Sequence, residues 1–426
     1  MSTRVQAPRG VQDILPEQQP YWSAIHDALR EVARLYGYRR IDTPAFEYAA
    51  LFDKGSGDTS DIVEKEMYRF EDRGGDLLAL TPEATPAICR AYLEHGMASW
   101  PQPVRLYTTH AMFRYDRPQK GRYRQHTQFD CEVLGSSDPL IDAELITLLW
   151  DLYRRLGIRD VQVRLNSIDD AEPRRAYTER LKDFYRPHLA NLSEDAQRRF
   201  ERNPLRLLDS KDPRDQALKA SAPKLVESLS PAAAEHHDTV VATLQEAGIE
   251  VVIDPLIVRG LDYYNRTVFE IVPKADERAQ STIGAGGRYD GLMQILGGPA
   301  TPGVGFGSGI ERIILEMQRC EVALAEPATA DVFVIHQGRA GQRAALALAG
   351  DMRRAGVAAV VAESGRSFKS QFRSADASGA RFALIVGENE AASGVAIVKD
   401  LRDGGAQAEV RFDQAGDAVA ARLRGG

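Results

Sequence analysis

Apolar side chains recur along the chain with two periods, and the switches between them mark out the elements. Trp22, Ile25, Leu29, Val32 and Tyr36 are spaced 3, 4, 3 and 4 apart, one face of a helix over 20–36 that Pro20 opens and Gly37 closes. Residues 38–41 predict a short strand ending before Pro44, and 67–70 with 77–80 predict a hairpin around Asp-Arg-Gly-Gly-Asp. Thr81 suits an N-cap and Pro82 a first helical turn, which puts Glu83 and Thr85 at a helix start. Strands over 104–115 and 125–134 enclose a charged loop; an amphipathic helix over 139–156 ends at Gly157, and a strand over 161–165 follows. From 170 to 250 the chain turns helical, polar and proline-interrupted, as an inserted subdomain would. Strand patterns return at 251–253, 268–272 and 281–284. A glycine-rich strand over 303–309 then runs into a helix over 310–318.

Beyond a small-residue linker the pattern changes. Strands at 331–335, 357–361 and 382–386 alternate with helices at 343–355 and 368–378, the signature of a separate parallel, helix-covered sheet. The expected organisation is a core domain in two parts, 1–169 and 251–322, a helical insertion at 170–250, a linker at 323–330 and an α/β domain at 331–426.

Composition narrows the class. The 426 residues amount to about three ordinary domains, and 54 basic against 61 acidic side chains leave a net charge of −7. That balance excludes a protein gripping nucleic acid by bulk charge, but not one with a local basic patch. Residues 331–426 carry 13 basic against 11 acidic side chains, opposite in sign to the whole. No apolar run approaches the ~18 residues that span a bilayer, and no basic-then-apolar leader opens the chain, so no membrane attachment is expected. Cys89, Cys131 and Cys320 are too few and too scattered for a disulfide framework or a four-thiolate zinc site, which points to a reducing cytoplasm. P-loop, Gly-x-Gly-x-x-Gly, His-Glu-x-x-His and Cys-x-x-Cys patterns are all missing. The pair His236–His237 reads as solvent-facing on a helix rather than as metal ligands. No metal site is expected from the protein's side chains.

The segment 104–135 carries the chemistry. Its loop, Arg114 to Arg124, holds five basic residues and one acid. Phosphates need such a concentration of donors, although a solvated hairpin tip looks the same. On the returning strand Gln128, Asp130 and Glu132 alternate with Phe129, Cys131 and Val133, putting three polar groups on one face. Such a face beside an Arg-rich loop suits a zwitterion next to a triphosphate, or else a half-exposed sheet. Residues 257–270 place a guanidinium, paired tyrosines and carboxylates in one run, just before a strand. In 303–312, Gly303, Gly305, Gly307 and Gly309 strip one strand face bare, so that a flat adenine could lie against backbone with Arg312 over it. Tight strand–helix packing is the plainer reason for those glycines.

Together these residues resemble the class II aminoacyl-tRNA synthetases, and among them the histidyl-tRNA synthetase family. Tyr38–Pro44 is similar to the first class motif, Phe113-Arg114 through Arg124-Gln125 to Glu132 to the second, and Gly307-Ser-Gly309-Ile-Glu311-Arg312 to the third. Arg-Gly-Leu-Asp-Tyr-Tyr-Asn-Arg at 259–266 and Gly-Gly-Arg-Tyr-Asp-Gly-Leu at 286–292 are peculiar to the histidine family. Residues 331–426, with Arg-Ser-Phe-Lys at 366–369, resemble its anticodon-binding domain. His126 stands where an aromatic is usual. The resemblance implies an α+β catalytic domain on an antiparallel sheet with a helical insertion, and a C-terminal α/β domain.

It further implies an enzyme that joins histidine to tRNA(His) through histidyl-adenylate, with ATP and Mg²⁺, acting as a homodimer. Glu83, Thr85 and Gln128 would hold the charged end of histidine. Glu132 and Tyr264 would bracket the imidazole, with Tyr263 and Tyr289 completing the pocket. Arg114 would hold the α-phosphate, and Arg259 would lie across from it on the histidine carboxylate and α-phosphate as the catalytic cation, so that both arginines also bind histidine. Arg122 would take the distal phosphates, and Arg312 with Gly307 and Gly309 the rest of ATP. A catalytically silent paralogue, the regulatory subunit of ATP phosphoribosyltransferase, shares the catalytic fold but generally lacks the C-terminal domain and keeps the site motifs poorly. A pure RNA-binding module would leave the glycine-lined strand and polar pocket without purpose. The cluster Arg174, Arg175, Arg180 and Lys182 would either touch the tRNA acceptor stem or face solvent.

Overall fold

The helix predicted from the 3-and-4 spacing runs Gln19–Leu35 (α1) and buries Trp22, Ile25, Leu29 and Val32. It lies in a computed structural model that describes residues 5–57, 60, 62–210, 212–258, 261, 263–274, 282–324, 330–402 and 407–424. After it come β1 (Arg39–Arg40), β2 (Phe46–Tyr48), α2 (Ala49–Ser56), the predicted hairpin β3 (Arg69–Glu71) and β4 (Leu77–Leu80), and α3 (Thr85–Glu94). The long pair β5 (Val104–Phe113) and β6 (Gln125–Leu134), then α4 (Pro139–Arg155) and β7 (Val161–Ile168), complete the first part. Helices α5 (Ala171–Tyr185), α6 (Glu194–Arg202), α7 (Pro213–Lys219) and α8 (Pro231–Glu246) make up the helical stretch. The second part holds β8 (Val251–Ile253), β9 (Asn265–Pro273), β10 (Gly284–Arg288), α9 (Leu292–Ile295), β11 (Gly303–Gly309) and α10 (Ile310–Arg319).

Eight of these strands form one sheet in the order β1-β5-β6-β11-β10-β9-β7-β8. Its interior pairs are antiparallel and only the two edge pairs, β1 with β5 and β7 with β8, are parallel. Period two on β6 works as expected. Phe129, Cys131 and Val133 are fully buried in the core cluster formed with α1, α4 and α10, while Gln128, Asp130 and Glu132 take the other face. Strand β2, β4 and β3 form a small separate sheet.

Three local expectations are corrected. The helix begins at Thr85, not after Thr81, because Thr81 is spent on tying strands: its N–H donates to the Ala45 carbonyl, its hydroxyl to the Pro44 carbonyl at 3.0 Å, and its carbonyl accepts from Phe113. The strand expected at 281–284 is β10, beginning at Gly284, since a Gly-Ala-Gly-Gly run carries no side-chain period to read; Ser281 lies outside the described residues. His236 and His237 are buried, not solvent-facing. His236 Nε2 lies 3.2 Å from Asp142 Oδ1, and Asp142 is paired in turn with Arg288, whose side chain is wholly buried and also bonds Asp290 and the Ser136 carbonyl.

Contact density separates residues 1–324 from 325–426. The second unit contains β12 (Val332–His336), α11 (Gly338–Arg354), β13 (Ala359–Val361), α12 (Phe368–Ala377), β14 (Phe382–Val386), α13 (Glu388–Ser393), β15 (Val395–Asp400), β16 (Gln407–Arg411) and α14 (Ala415–Arg424). Strands β13, β12 and β14 are parallel as predicted, but β15 and β16 add antiparallel strands, so the sheet is mixed. The connection from β14 to β15 holds only one short helix, too little for a parallel crossover, and Gly394 at φ +70° turns the chain back. Most of the expected linker, residues 325–329, lies outside the described residues.

Candidate active site

A cavity of about 400 Å³ opens on the polar face of β6 and β11, with Glu83, Arg114, Gln128, Asp130, Tyr263 and Arg312 among its lining. Register brings Glu132 opposite Gly305, Asp130 opposite Gly307 and Gln128 opposite Gly309. The bare face serves β6 first: a Cβ at Gly305 would collide with the Glu132 carboxylate, and one at Gly307 with the Gln128 amide. Gly309 is the open one, its nearest neighbour being Arg312 Cγ at 3.9 Å. The open backbone on this face is therefore at Gly309, with Gly307 lining the cavity beside it.

At the other end two buried carboxylates each receive two hydroxyls. Thr85 donates to Glu132 Oε1 at 2.5 Å and Tyr289 to Glu132 Oε2. Tyr263 donates to Glu83 Oε2 at 2.9 Å and Ser56 to Glu83 Oε1. Burial pushes the Glu132 carboxyl up to about 8 and also raises Glu83. Glu132 and Tyr289 are not in the lining but buried behind it, Glu132 bonded to the lining residue Thr85 and Tyr289 to Glu132. The Tyr263 ring lies 4.7 Å from that of Tyr264 and 5.8 Å from that of Tyr289, an aromatic wall around the carboxylates. Between the two ends, Gln128 Nε2 donates to Asp130 Oδ1, and burial lifts Asp130 to about 7. Burial, with Arg114 adding to it, holds His126 down to about 3, so this ring is a neutral part of the wall.

The cationic end gathers three guanidiniums. Arg114 Nε donates to the Pro82 carbonyl at 2.8 Å, Arg122 pairs with Asp116 and Glu66, and Arg312 Nη1 donates to the Thr282 carbonyl at 2.5 Å. Burial lowers the Arg312 pKa, and the charges of Arg122 and Arg114 lower it further, a mark of cations held together for an anion. Burial raises Glu66 and Glu311 to about 7. Of the other loop cations, Arg124 stacks on Tyr115 at 3.7 Å, and Arg117 and Lys120 are exposed.

Every predicted site residue that is described therefore lies in or directly behind one cavity. Arg259 lies outside the described residues. Several wall residues were missed. Arg206 comes from the helical stretch and is buried at the cavity, and its only sequence signal is a position inside the apolar run Pro-Leu-Arg-Leu. Ser56 and Glu66 lie between the first and second class motifs and carry no pattern of their own. Asp130 was visible in the alternation but received no role. Chemically, a cationic half suited to a polyphosphate adjoins a half of carboxylates, hydroxyls and aromatic rings suited to a small polar molecule.

The family model described as histidyl-tRNA synthetase matches residues 10–313, and that described as an anticodon binding domain matches 331–422. A histidine–tRNA ligase of Dehalococcoides mccartyi is 47% identical over 409 residues, covering 96% of this chain and 97% of that protein. One from Moorella thermoacetica is 47% identical over 406 residues, 95% of each. The crystal structure of apo histidyl-tRNA synthetase of S. aureus superposes with a TM-score of 0.83 at 32% identity, covering 98% of this chain and 100% of the other. A Bacillus halodurans structure described as an ATP phosphoribosyltransferase regulatory subunit/histidyl-tRNA synthetase shares the fold at 21% identity and a TM-score of 0.63, over 90% of this chain and 98% of the other.

Proposed function

The chain belongs to the histidyl-tRNA synthetase family, and we propose on that footing that its cavity makes histidyl-adenylate from L-histidine and ATP and passes the histidyl group to tRNA(His). It is a class II histidine–tRNA ligase; the regulatory-subunit alternative is disfavoured by near-full-length identity to ligases and by a C-terminal anticodon-binding domain. The observation that carries the reading is the division of one cavity into a guanidinium half and a half of hydroxyl-clamped carboxylates.

In the first step a histidine carboxylate oxygen bonds to the α-phosphorus and pyrophosphate leaves. The nucleophile is already ionised, so no general base is needed. Charge concentrates on the α-phosphate in the transition state, and fixed guanidiniums stabilise it without reorganising, about 3–4 kcal/mol for each well-placed donor. Arg114 and Arg259 are assigned to this centre, Arg122 to the distal phosphates, and Arg312, with Gly307 and Gly309, to adenine and the γ-phosphate. In the second step the terminal ribose hydroxyl attacks the acyl carbon, loses its proton, and AMP leaves.

Glu83, Thr85 and Gln128 are assigned to the charged end of histidine. Glu132 and Tyr264 are assigned to the imidazole, with Tyr263 and Tyr289 walling the pocket. Each Glu132 oxygen that takes one hydroxyl retains a second lone pair for a ring N–H. A site built to satisfy both ring nitrogens rejects analogues lacking them by roughly 10⁴–10⁵.

Mg²⁺ fits the nucleotide end as a companion of the phosphates. Such an ion would be held mostly by phosphate and water. Glu311, whose Oε2 is buried without a partner, and Glu270 are the carboxylates that would hold it. When bound it supplies positive charge to the outer phosphates.

A homodimer is supported by the small sheet, which exposes Phe46, Tyr48, Phe70 and Leu77, with the Phe46 and Phe70 rings 6.3 Å apart. A cytoplasmic location accords with the scattered free cysteines, and among the described residues no helix is long and apolar enough to cross a membrane. The test is ATP–pyrophosphate exchange with each of the twenty amino acids, followed by charging of tRNA(His). Exchange with histidine alone is expected; exchange with another amino acid, or with none from folded protein, would overturn the reading.

A further inference from the structure

Helix α5 opens on an aspartate that does not cap it. Asp170 holds the N-cap position in extended backbone, yet its carboxylate takes no N–H of the first turn. It reaches instead to the start of β9. There Arg266 Nη2 donates to Oδ2 at 2.9 Å, Arg266 Nε to Oδ1 at 3.3 Å and Asn265 Nδ2 to Oδ1 at 3.0 Å. Partial burial alone would raise the carboxyl, but the bonds from Arg266 and Asn265 bring it below its ordinary value. Arg266 itself has φ +51°, one of two non-glycine residues in the left-handed region among the described residues. An arginine gains nothing locally from that backbone. A helix cap and a relaxed backbone are both given up at one ion pair, and strain of this kind persists only where the surroundings impose it.

The strained residue shapes the wall of the cavity. Between β9 and β10 the register jumps from Val268 opposite Gly287 to Asn265 opposite Arg288, so Arg266 and Thr267 form a bulge. A bulge re-aims the side chains beside it. Here the Tyr264 ring comes to lie on Gly287, where a Cβ would stand 2.9 Å from Tyr264 Cδ1 and 2.4 Å from the Thr267 carbonyl oxygen. Tyr264 is buried and lines the cavity next to Tyr263. One turn along α5, Arg174 Nη1 donates to the Tyr264 carbonyl at 2.8 Å, so a single helix grips the chain on both sides of Asn265. We infer that Asp170 is a positioning residue for amino-acid recognition, holding Arg266 in the bulge that seats the Tyr264 ring in the pocket wall; this rests on the assignment of Tyr264 to the imidazole. Asp170 is not in the cavity lining, so its effect reaches the substrate through that ring.

The experiment measures ATP–pyrophosphate exchange by the full chain, with KM for histidine and KM for ATP read separately, in the wild type, in D170S and in D170S combined with R266G. Serine is a favoured N-cap that cannot make the forked pair, so α5 is kept while Arg266 is released. D170S is expected to raise the histidine KM about tenfold, the order of one strained residue, and to leave the ATP KM within about twofold. Glycine occupies the left-handed region without a side-chain clash, so adding R266G should return the histidine KM to within about threefold of the wild type. An aspartate that merely stabilised the fold would show no such rescue. An unchanged histidine KM in D170S, equal rises in both KM values, or a rise that R266G leaves in place would each overturn the inference, while histidine-dependent exchange by the wild type left the functional reading standing. Absence of that exchange would overturn both. Should D170S fold poorly by circular dichroism, D170A carried through the same comparison decides by the same pattern.

Discussion

The Tyr263 hydroxyl and the Glu83 carboxylate meet at 2.9 Å across 180 positions of sequence. One belongs to the Tyr-Tyr pair of the 259–266 motif and the other to the connector ahead of α3, so this bond ties the two sides of the carboxylate end of the cavity together. Burial raises both groups, Tyr263 well above the ordinary phenol range, so the bond joins a neutral donor to a carboxyl short of water. Tyr263→Phe keeps the aromatic wall and removes the donor. We expect histidine affinity to fall about tenfold, with a smaller change in kcat, measured by exchange kinetics over a range of histidine concentrations. An unchanged KM would remove the bond from substrate binding.

Arg259→Ala should act differently, because the role assigned to it at the α-phosphate matters most when charge peaks there. A loss of about 10²–10³ in the single-turnover rate of adenylate formation is expected, with histidine affinity nearly intact. Equal losses in rate and affinity would give Arg259 a ground-state role instead.

The buried knot of Asp142, Arg288 and His236 makes a stability prediction. Arg288 and Asp142 are wholly buried as side chains, so Asp142→Ala would strand a guanidinium in the core. Urea unfolding of the variant should show a loss of about 3–5 kcal/mol. An unchanged midpoint would mean that water or Asp290 replaces the lost partner.

Glu132 predicts a pH dependence. Burial holds its folded-state pKa at about 8, above the ordinary carboxylate value of 4.5, so the folded chain binds this proton more tightly than the unfolded chain. The contribution to stability is fully present below pH 4.5 and is lost as pH rises through 8. Glu132→Gln is permanently uncharged and cannot lose it. Between pH 6 and pH 9 the variant's stability should therefore rise relative to the wild type by on the order of 2 kcal/mol, read from denaturation midpoints of both proteins at each pH. A constant difference would mean that the carboxylate is ionised throughout.

Side-chain periodicity made much of this legible. The 3-and-4 spacing found α1 within a residue at each end, and the alternation of Phe129 and Cys131 with Gln128 and Asp130 found both faces of β6. It failed where an element has no side-chain rhythm, as in β10, or where tertiary bonds claimed a residue with helix-start chemistry, as at Thr81. His236 and His237 misled because the core offers His236 a partner in Asp142, itself paired with Arg288, and His237 is buried beside it on the same helix. The cavity's motif residues were legible because families concentrate chemistry in short runs. Arg206 and Ser56 reach the same wall from elsewhere, and only folding brings them there.

Strand β11 carries a last consequence. The hollow above Gly305 is filled by the carboxylate assigned to the imidazole, and that above Gly307 by the amide assigned to the charged end of histidine. Two residues further on, the same ribbon reaches the stretch assigned to adenine. A methyl group at Gly305 or Gly307 would dislodge the groups assigned to the amino acid, whereas one at Gly309 meets only the Arg312 side chain. On these assignments one ribbon backs both substrates, filled to contact behind the amino acid and left open beside the nucleotide.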